Sequence, residues 1–119
     1  MIDIQHPSYA GKLEQSTINT SAAAGNNTLA GAAVPAGEVW IVTSVIAFNT
    51  VNAMTYSTIY IVGAVTRYLG YLAAPARYAG NINTAVHVLE AGDYVGAIMA
   101  GCTLNDDIYL SISGYKMRL

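Results

Sequence analysis

Charge is the scarcest commodity in this sequence. Charged residues are 10% of the 119, five basic and seven acidic, against roughly a quarter in an ordinary soluble domain. So few Lys and Arg exclude a nucleic-acid partner, whose phosphates demand clustered positive charge. The single cysteine, Cys102, excludes an internal disulfide and a cysteine-built metal site; a small buried residue is its expected role. Histidine stops at His6 and His87, 81 residues apart, so a closely spaced histidine pair with a nearby carboxylate, as a metal-dependent enzyme would use, is missing. The sequence also lacks the GxSxG elbow of a serine hydrolase and a glycine-rich phosphate loop. No stretch reaches the roughly 20 apolar residues of a membrane-spanning helix, and the most apolar one, VGAIMAGCTL at 95–104, is about half that. It is closed by Asn105, Asp106 and Asp107 and reads as a buried strand. The N-terminus, MIDIQHPSYAGKLEQ, lacks the basic and apolar regions of a secretory signal. These absences lead us to expect a protein that is not an enzyme, carries no cofactor or metal, and has neither nucleic acid nor membrane as a partner.

What is present is apolar and aromatic: 54% hydrophobic residues, nine of them tyrosine. This length is that of one domain. The chain divides into a polar N-terminal third and an apolar remainder. QSTINTSAAAGNNTLAGAA at 15–33 is uncharged and rich in small and turn-forming residues, a composition of extended chain rather than packed helix. We expect an arm over residues 1–25, with edge strands as the other reading of this segment, and a β domain over 26–119. His6, before Pro7, falls on the arm.

From Val34 onward the pattern is β, with alternation, β-branched and aromatic residues, and turns at short intervals. In VPAGEVWIVTSVIAF, simple alternation puts Val39, Ile41, Thr43, Val45 and Ala47 on one face and Trp40, Val42, Ser44, Ile46 and Phe48 on the other. Both faces are apolar, which predicts a strand covered on both sides. MTYSTIYIV at 54–62 reads as a hairpin return from it, and TRYLGYL at 66–72 follows. AAPARYAGN at 73–81 is a loop by virtue of Pro75 and Gly80, and INTAVHVL at 82–89 resumes β structure. In the last segment Ile108, Leu110 and Ile112 face inward, and after Gly114 the apolar phase shifts to Tyr115, Met117 and Leu119, which predicts a bulge or bend at that glycine. Trp40 and Cys102 are expected in the core, His87 half-exposed on a strand, and Asp106 as a turn cap. With a strand or two from residues 13–34, the total is about eight. The predicted fold is all-β, an antiparallel two-sheet sandwich of jelly-roll type with an extended N-terminal arm.

Two segments share a grammar: VPAGEVW at 34–40 and LEAGDYV at 89–95 both place Ala-Gly and an acid before a strand. Together with the terminal IYLSISGYKM, they make residues 34–119 resemble the small jelly-roll decoration, or cement, proteins of tailed bacteriophage capsids. That resemblance implies a virion protein made in the bacterial host cytoplasm. It would bind the outside of the shell, with the major capsid protein as partner, bridge neighbouring subunits to stabilise the shell, and contribute no catalytic residues. Double-sided apolar strands add a homo-oligomer, a trimer before a dimer. The alternative reading is a receptor- or glycan-binding module of a phage tail or fibre, because tyrosines supply stacking platforms. On either reading the candidate partner-binding residues are Tyr9, Tyr68, Tyr71, Tyr78 and Tyr109, chosen because interface energy concentrates in aromatic anchors.

Overall fold

The structure, a computed structural model, describes residues 8–119; His6 and the start of the expected arm lie outside them. Nine strands follow one another with no helix among the described residues: β1 Ser8–Asn19, β2 Gly25–Ala30, β3 Glu38–Asn49, β4 Tyr56–Val62, β5 Arg67–Ala73, β6 Asn81–Asn83, β7 His87–Leu89, β8 Tyr94–Cys102 and β9 Ile108–Arg118. One sheet runs β1-β9-β3 and then β6, with β7 also on β3, and the second runs β2-β8-β4-β5. All pairs are antiparallel. Since β6 and β7 occupy successive stretches of the same edge of β3, they are two halves of one interrupted strand. The pairs β1–β9, β2–β8, β3–β6/β7 and β4–β5 are then nested, so the chain is one long hairpin, closed at β4–β5 and rolled into two sheets. That is a jelly roll.

Of the two readings for the N-terminal segment, residues 8–19 take the strand: β1 pairs with β9 from Ser8 to Asn19 and Leu13 is fully buried. The expected hairpin between residues 34–48 and 54–62 does not form. β3 and β4 lie in different sheets, because the segment between them is carried across the sandwich. Thr50 N–H donates to Asp107 O at 3.0 Å, Met54 N–H to Pro75 O at 3.0 Å and Thr55 N–H to Ala100 O at 2.9 Å.

The core lies between the sheets. It contains Leu13, Trp40, Val42, Val45, Ala47, Ile59, Ile61, Leu89, Val95, Ala97, Met99, Cys102, Ile108, Leu110 and Ile112. Simple alternation is wrong for β3. A register shift between Val42 and Ser44 leaves Thr43 as an extra residue, so Trp40 and Val42 point inward before it, and Val45, Ala47 and Asn49 after it. Val39, Ile41, Ile46 and Phe48 share the outer face. The bulge expected at Gly114 is therefore at that level but on the partner strand, and β9 keeps its phase: Gly114 and Lys116 continue the inward series, with Lys116 Nζ 5.5 Å from the Trp40 ring. Glycine is required because a Cβ at position 114 would run into the carbonyl oxygen of Ile41.

The repeated Ala-Gly-acid segments are two turns in mutual contact. Pro35 O accepts from Glu38 N–H at 3.3 Å and Glu90 O from Asp93 N–H at 3.0 Å. Gly37 and Gly92 take the left-handed backbone such turns need, with φ of 83° and 91°. Val34 N–H then donates to Asp93 O and Gly92 N–H to Val34 O, at 2.9 and 2.8 Å. The two segments are the facing turns of the two arms of the long hairpin, β2 to β3 on one and β7 to β8 on the other.

At the other end Asp106, 1% exposed, gathers the loops. Its carboxylate accepts from Asn49 Nδ2 at 2.8 Å, Asn52 Nδ2 at 2.6 Å and Thr103 N–H at 2.8 Å. Burial pushes this acid up, but the three donors outweigh burial and hold it below the usual carboxylate range. The turn-cap reading of Asp106 holds, with two asparagine partners that sequence reasoning did not find.

Candidate functional site

The outer face of the second sheet is built of tyrosine. In β4 the alternation of TYSTIYIV sends Ser57, Ile59 and Ile61 inward and Tyr56, Thr58 and Tyr60 outward. On β5, Tyr68 and Tyr71 are three residues apart, a spacing that regular alternation would split between the two faces. A register shift at Ile59/Tyr60 resolves this. Tyr60 pairs with Tyr68 while Ile59 pairs with Gly70, so Leu69 is the extra residue, and Tyr68 and Tyr71 both point out. Leu69 packs against the core.

The tyrosines meet across the strand pair. Tyr56 stacks on Tyr71 with centroids 5.3 Å apart, and Tyr60 lies tilted against Tyr68 at 6.0 Å, both within the range of favourable aromatic pairs. Gly96 on β8 makes room, since a Cβ there would stand 2.6 Å from the Tyr60 ring. Burial first, then Tyr94 and Tyr68 nearby, push the Tyr60 phenol above its ordinary value and keep it neutral. Between Tyr68 and Tyr71 opens a shallow cleft floored by Thr58 and lined by Leu69 and Gly70. Tyr68 is 71% and Tyr71 65% exposed. The arrangement offers neutral aromatic planes and phenol hydroxyls that can stack on a flat apolar group and hydrogen-bond at its rim.

The other expected residues are elsewhere. Tyr109 lies on the outer face of the first sheet, stacked on Phe48 at 5.0 Å. Tyr78 sits in the loop after β5, its N–H donating to Asn49 O at 2.8 Å and Arg77 4.9 Å from its ring. Tyr9 opens β1 opposite Met117. The structure thus joins Tyr68 and Tyr71 and leaves Tyr9, Tyr78 and Tyr109 apart. Sequence reasoning missed Tyr56 and Tyr60, whose signal was the even, four-residue spacing of the tyrosines in TYSTIY.

Among the described residues, Cys102 and His87 stand apart from each other and from other reactive groups. Cys102 is buried, its Sγ near Met54 Sδ at 3.9 Å and Met99 O at 3.4 Å, and burial pushes the thiol up. His87 Nε2 is 2.8 Å from Asn83 Oδ1; burial, then Arg67, lowers its pKa. Among the described residues no group of three or more His, Cys, Asp or Glu could hold a metal ion.

No family model matches the chain, and no curated protein does. Among solved structures, that of infectious bursal disease virus Gx strain is similar over 94% of this chain at 15% identity and a TM-score of 0.42. That of the Gt strain is similar over 93%, at 15% identity and a TM-score of 0.37. The chain spans 30% and 31% of those chains. At such identity and TM-scores the likeness carries no argument about activity or partners. It does not point to phages, however, and the expected membership among tailed-bacteriophage decoration proteins, with manufacture in a bacterial cytoplasm, is corrected. The physical reason is visible in the fold: the Ala-Gly-acid segments that carried the resemblance are two turns bonded to each other at one end of the sandwich, so their likeness reports a local turn geometry and not one family.

Proposed function

We propose that this chain is a non-catalytic structural protein of a virus particle, attached to the shell by contact area, with the tyrosine face of β4 and β5 as its attachment surface and the major capsid protein as its partner. The observation that carries the reading is the bulge at Leu69, which brings two well-exposed tyrosines onto one face above two others. Aromatic side chains give large contact area for little ordering entropy, and the absence of charge lowers the desolvation cost. The topology supports the setting by analogy, since jelly rolls recur in viral capsid and lectin domains. The same analogy keeps one second reading: the Tyr68–Tyr71 cleft suits the apolar face of a sugar ring, as a glycan- or receptor-binding module would need.

Co-sedimentation of the chain with shells of the particle that encodes it tests the first reading. Binding is expected, and weakening by tenfold or more in the Tyr68→Ala/Tyr71→Ala double variant. Shells that leave the chain in the supernatant would end the proposal, and binding to a glycan array by the same chain would then favour the second reading.

A further inference from the structure

The opposite face of the molecule has a different character. On the first sheet the outward positions of β3 are Val39, Ile41, Ile46 and Phe48. They are flanked in register by Val88 and Ile82 on one side and by Met117, Tyr115 and Tyr109 on the other. Ile82 is 58% exposed, Val88 51% and Tyr115 39%. Neighbouring β1 extends the surface with Ser16, which is 3.4 Å from Ser111 through their hydroxyls, and with Ile18 in line with Tyr109 and Phe48. This is a largely aliphatic face, crossed midway by the pair Ser44–Ser113, and none of the described residues is packed over it.

We propose that this face binds the same face of a second copy, making an isologous dimer. Three observations select that occupant. The first is area. A stripe following β3 from Val39 to Phe48 is roughly 30 Å long at the rise of an extended strand, and three strands make it about 10 to 15 Å wide. With β1 the footprint reaches about 600 Å², somewhat below the about 800 Å² of accessible surface per partner of a standard specific interface. The second is charge. On the outward strand positions of this face the charged residues are Lys12 and Glu14, opposite in sign and 3.8 Å apart, so a second copy meets no net charge. The third is self-likeness. Ile, Val, Tyr and Ser distributed over a pleated face can pack on the same set through a two-fold axis, as sheets pack face to face at about 10 Å. The dimer leaves the tyrosine face of the other sheet turned outward and free for its own partner.

Sedimentation-velocity and light-scattering measurements over a concentration series test this. The wild-type chain is expected at twice its 12.5 kDa mass at micromolar concentration. The Ile82→Lys/Val88→Lys variant, altered at exposed positions outside the core, is expected to dissociate with a dissociation constant raised at least a hundredfold. Circular dichroism checks its fold, and the milder Ile82→Ser/Val88→Thr pair replaces it if the lysines unfold the chain, with weakened association again expected. A wild-type monomer, a trimer, or a dimer indifferent to both pairs would overturn the proposal. So would a dimer lost on changing Tyr68 and Tyr71, which would put the contact on the other sheet. The proposal stands apart from shell attachment: a wild-type dimer that fails to co-sediment with shells would count against the tyrosine face alone.

Discussion

The two outer faces are made by the same alternation and end up with different chemistry. Along β3 and its neighbours the outward positions are aliphatic, whereas along β4 and β5 they are aromatic and carry hydroxyls. Each face depends on one extra residue, used in opposite ways. In β3, Thr43 resets the phase so that Val42 and Val45, an odd number of residues apart, both reach the core. In β5, Leu69 resets it so that Tyr68 and Tyr71, likewise oddly spaced, both reach solvent. A bulge therefore protects the core in one sheet and composes a surface in the other. A single inserted residue thus decides which side chains of a strand turn to the core and which to solvent.

The largest expected effect comes from attacking the first bulge. Gly114→Val puts a side chain against the Ile41 carbonyl, where backbone cannot yield; a loss of about 4 kcal/mol or more, at the extreme of single substitutions, is expected in urea unfolding. A loss under about 1 kcal/mol would show that the bulge in β3 can move without cost.

Next comes the carboxylate tying the loops of both sheets at one end. Asp106→Asn removes the ionised acceptor and should cost about 2 to 3 kcal/mol at neutral pH, as for buried bonds to a charged group. The acid response adds a sign. Because the folded acid is held below its ordinary value, its contribution is complete above pH of about 4, the unfolded carboxylate value, and is lost as pH falls through the folded one. Wild-type stability should fall over that range more steeply than that of the variant, and parallel curves would contradict the assignment.

A smaller change should disturb the tyrosine face alone. Gly96→Ala drives a methyl into the Tyr60 ring, at a cost of about 1 to 2 kcal/mol for an overpacked contact. It should alter tyrosine fluorescence and shell binding while leaving the dimer intact; a dimer lost with it would mean the faces are not independent. The smallest effect is a gain. Ser57 Oγ is buried beneath the tyrosine face without a hydrogen-bond partner, so Ser57→Ala should stabilise by about 1 kcal/mol, the lower end of the penalty for an unsatisfied hydroxyl. A loss of stability in thermal unfolding would reveal a partner for that hydroxyl.

The chain's own pattern determined that the protein is all-β, where most strands run, that Trp40 and Cys102 are buried, and that Gly37 and Gly92 sit in turns, because strand alternation and turn chemistry are local. Local signals also reached Tyr68 and Tyr71 as candidates. They could not place them on one face, because a bulge inserts a residue without a composition mark: Leu69 and Thr43 look like ordinary strand residues. Nor could they separate β3 from β4, since a crossing between sheets and a hairpin use similar loops, and the hydrogen bonds that decide, to Asp107, Pro75 and Ala100, come from far along the sequence. Only the tertiary structure settled which residues oppose which, and with that which face is core, which is aliphatic and which is tyrosine, because register is a relation between strands and no strand carries it alone.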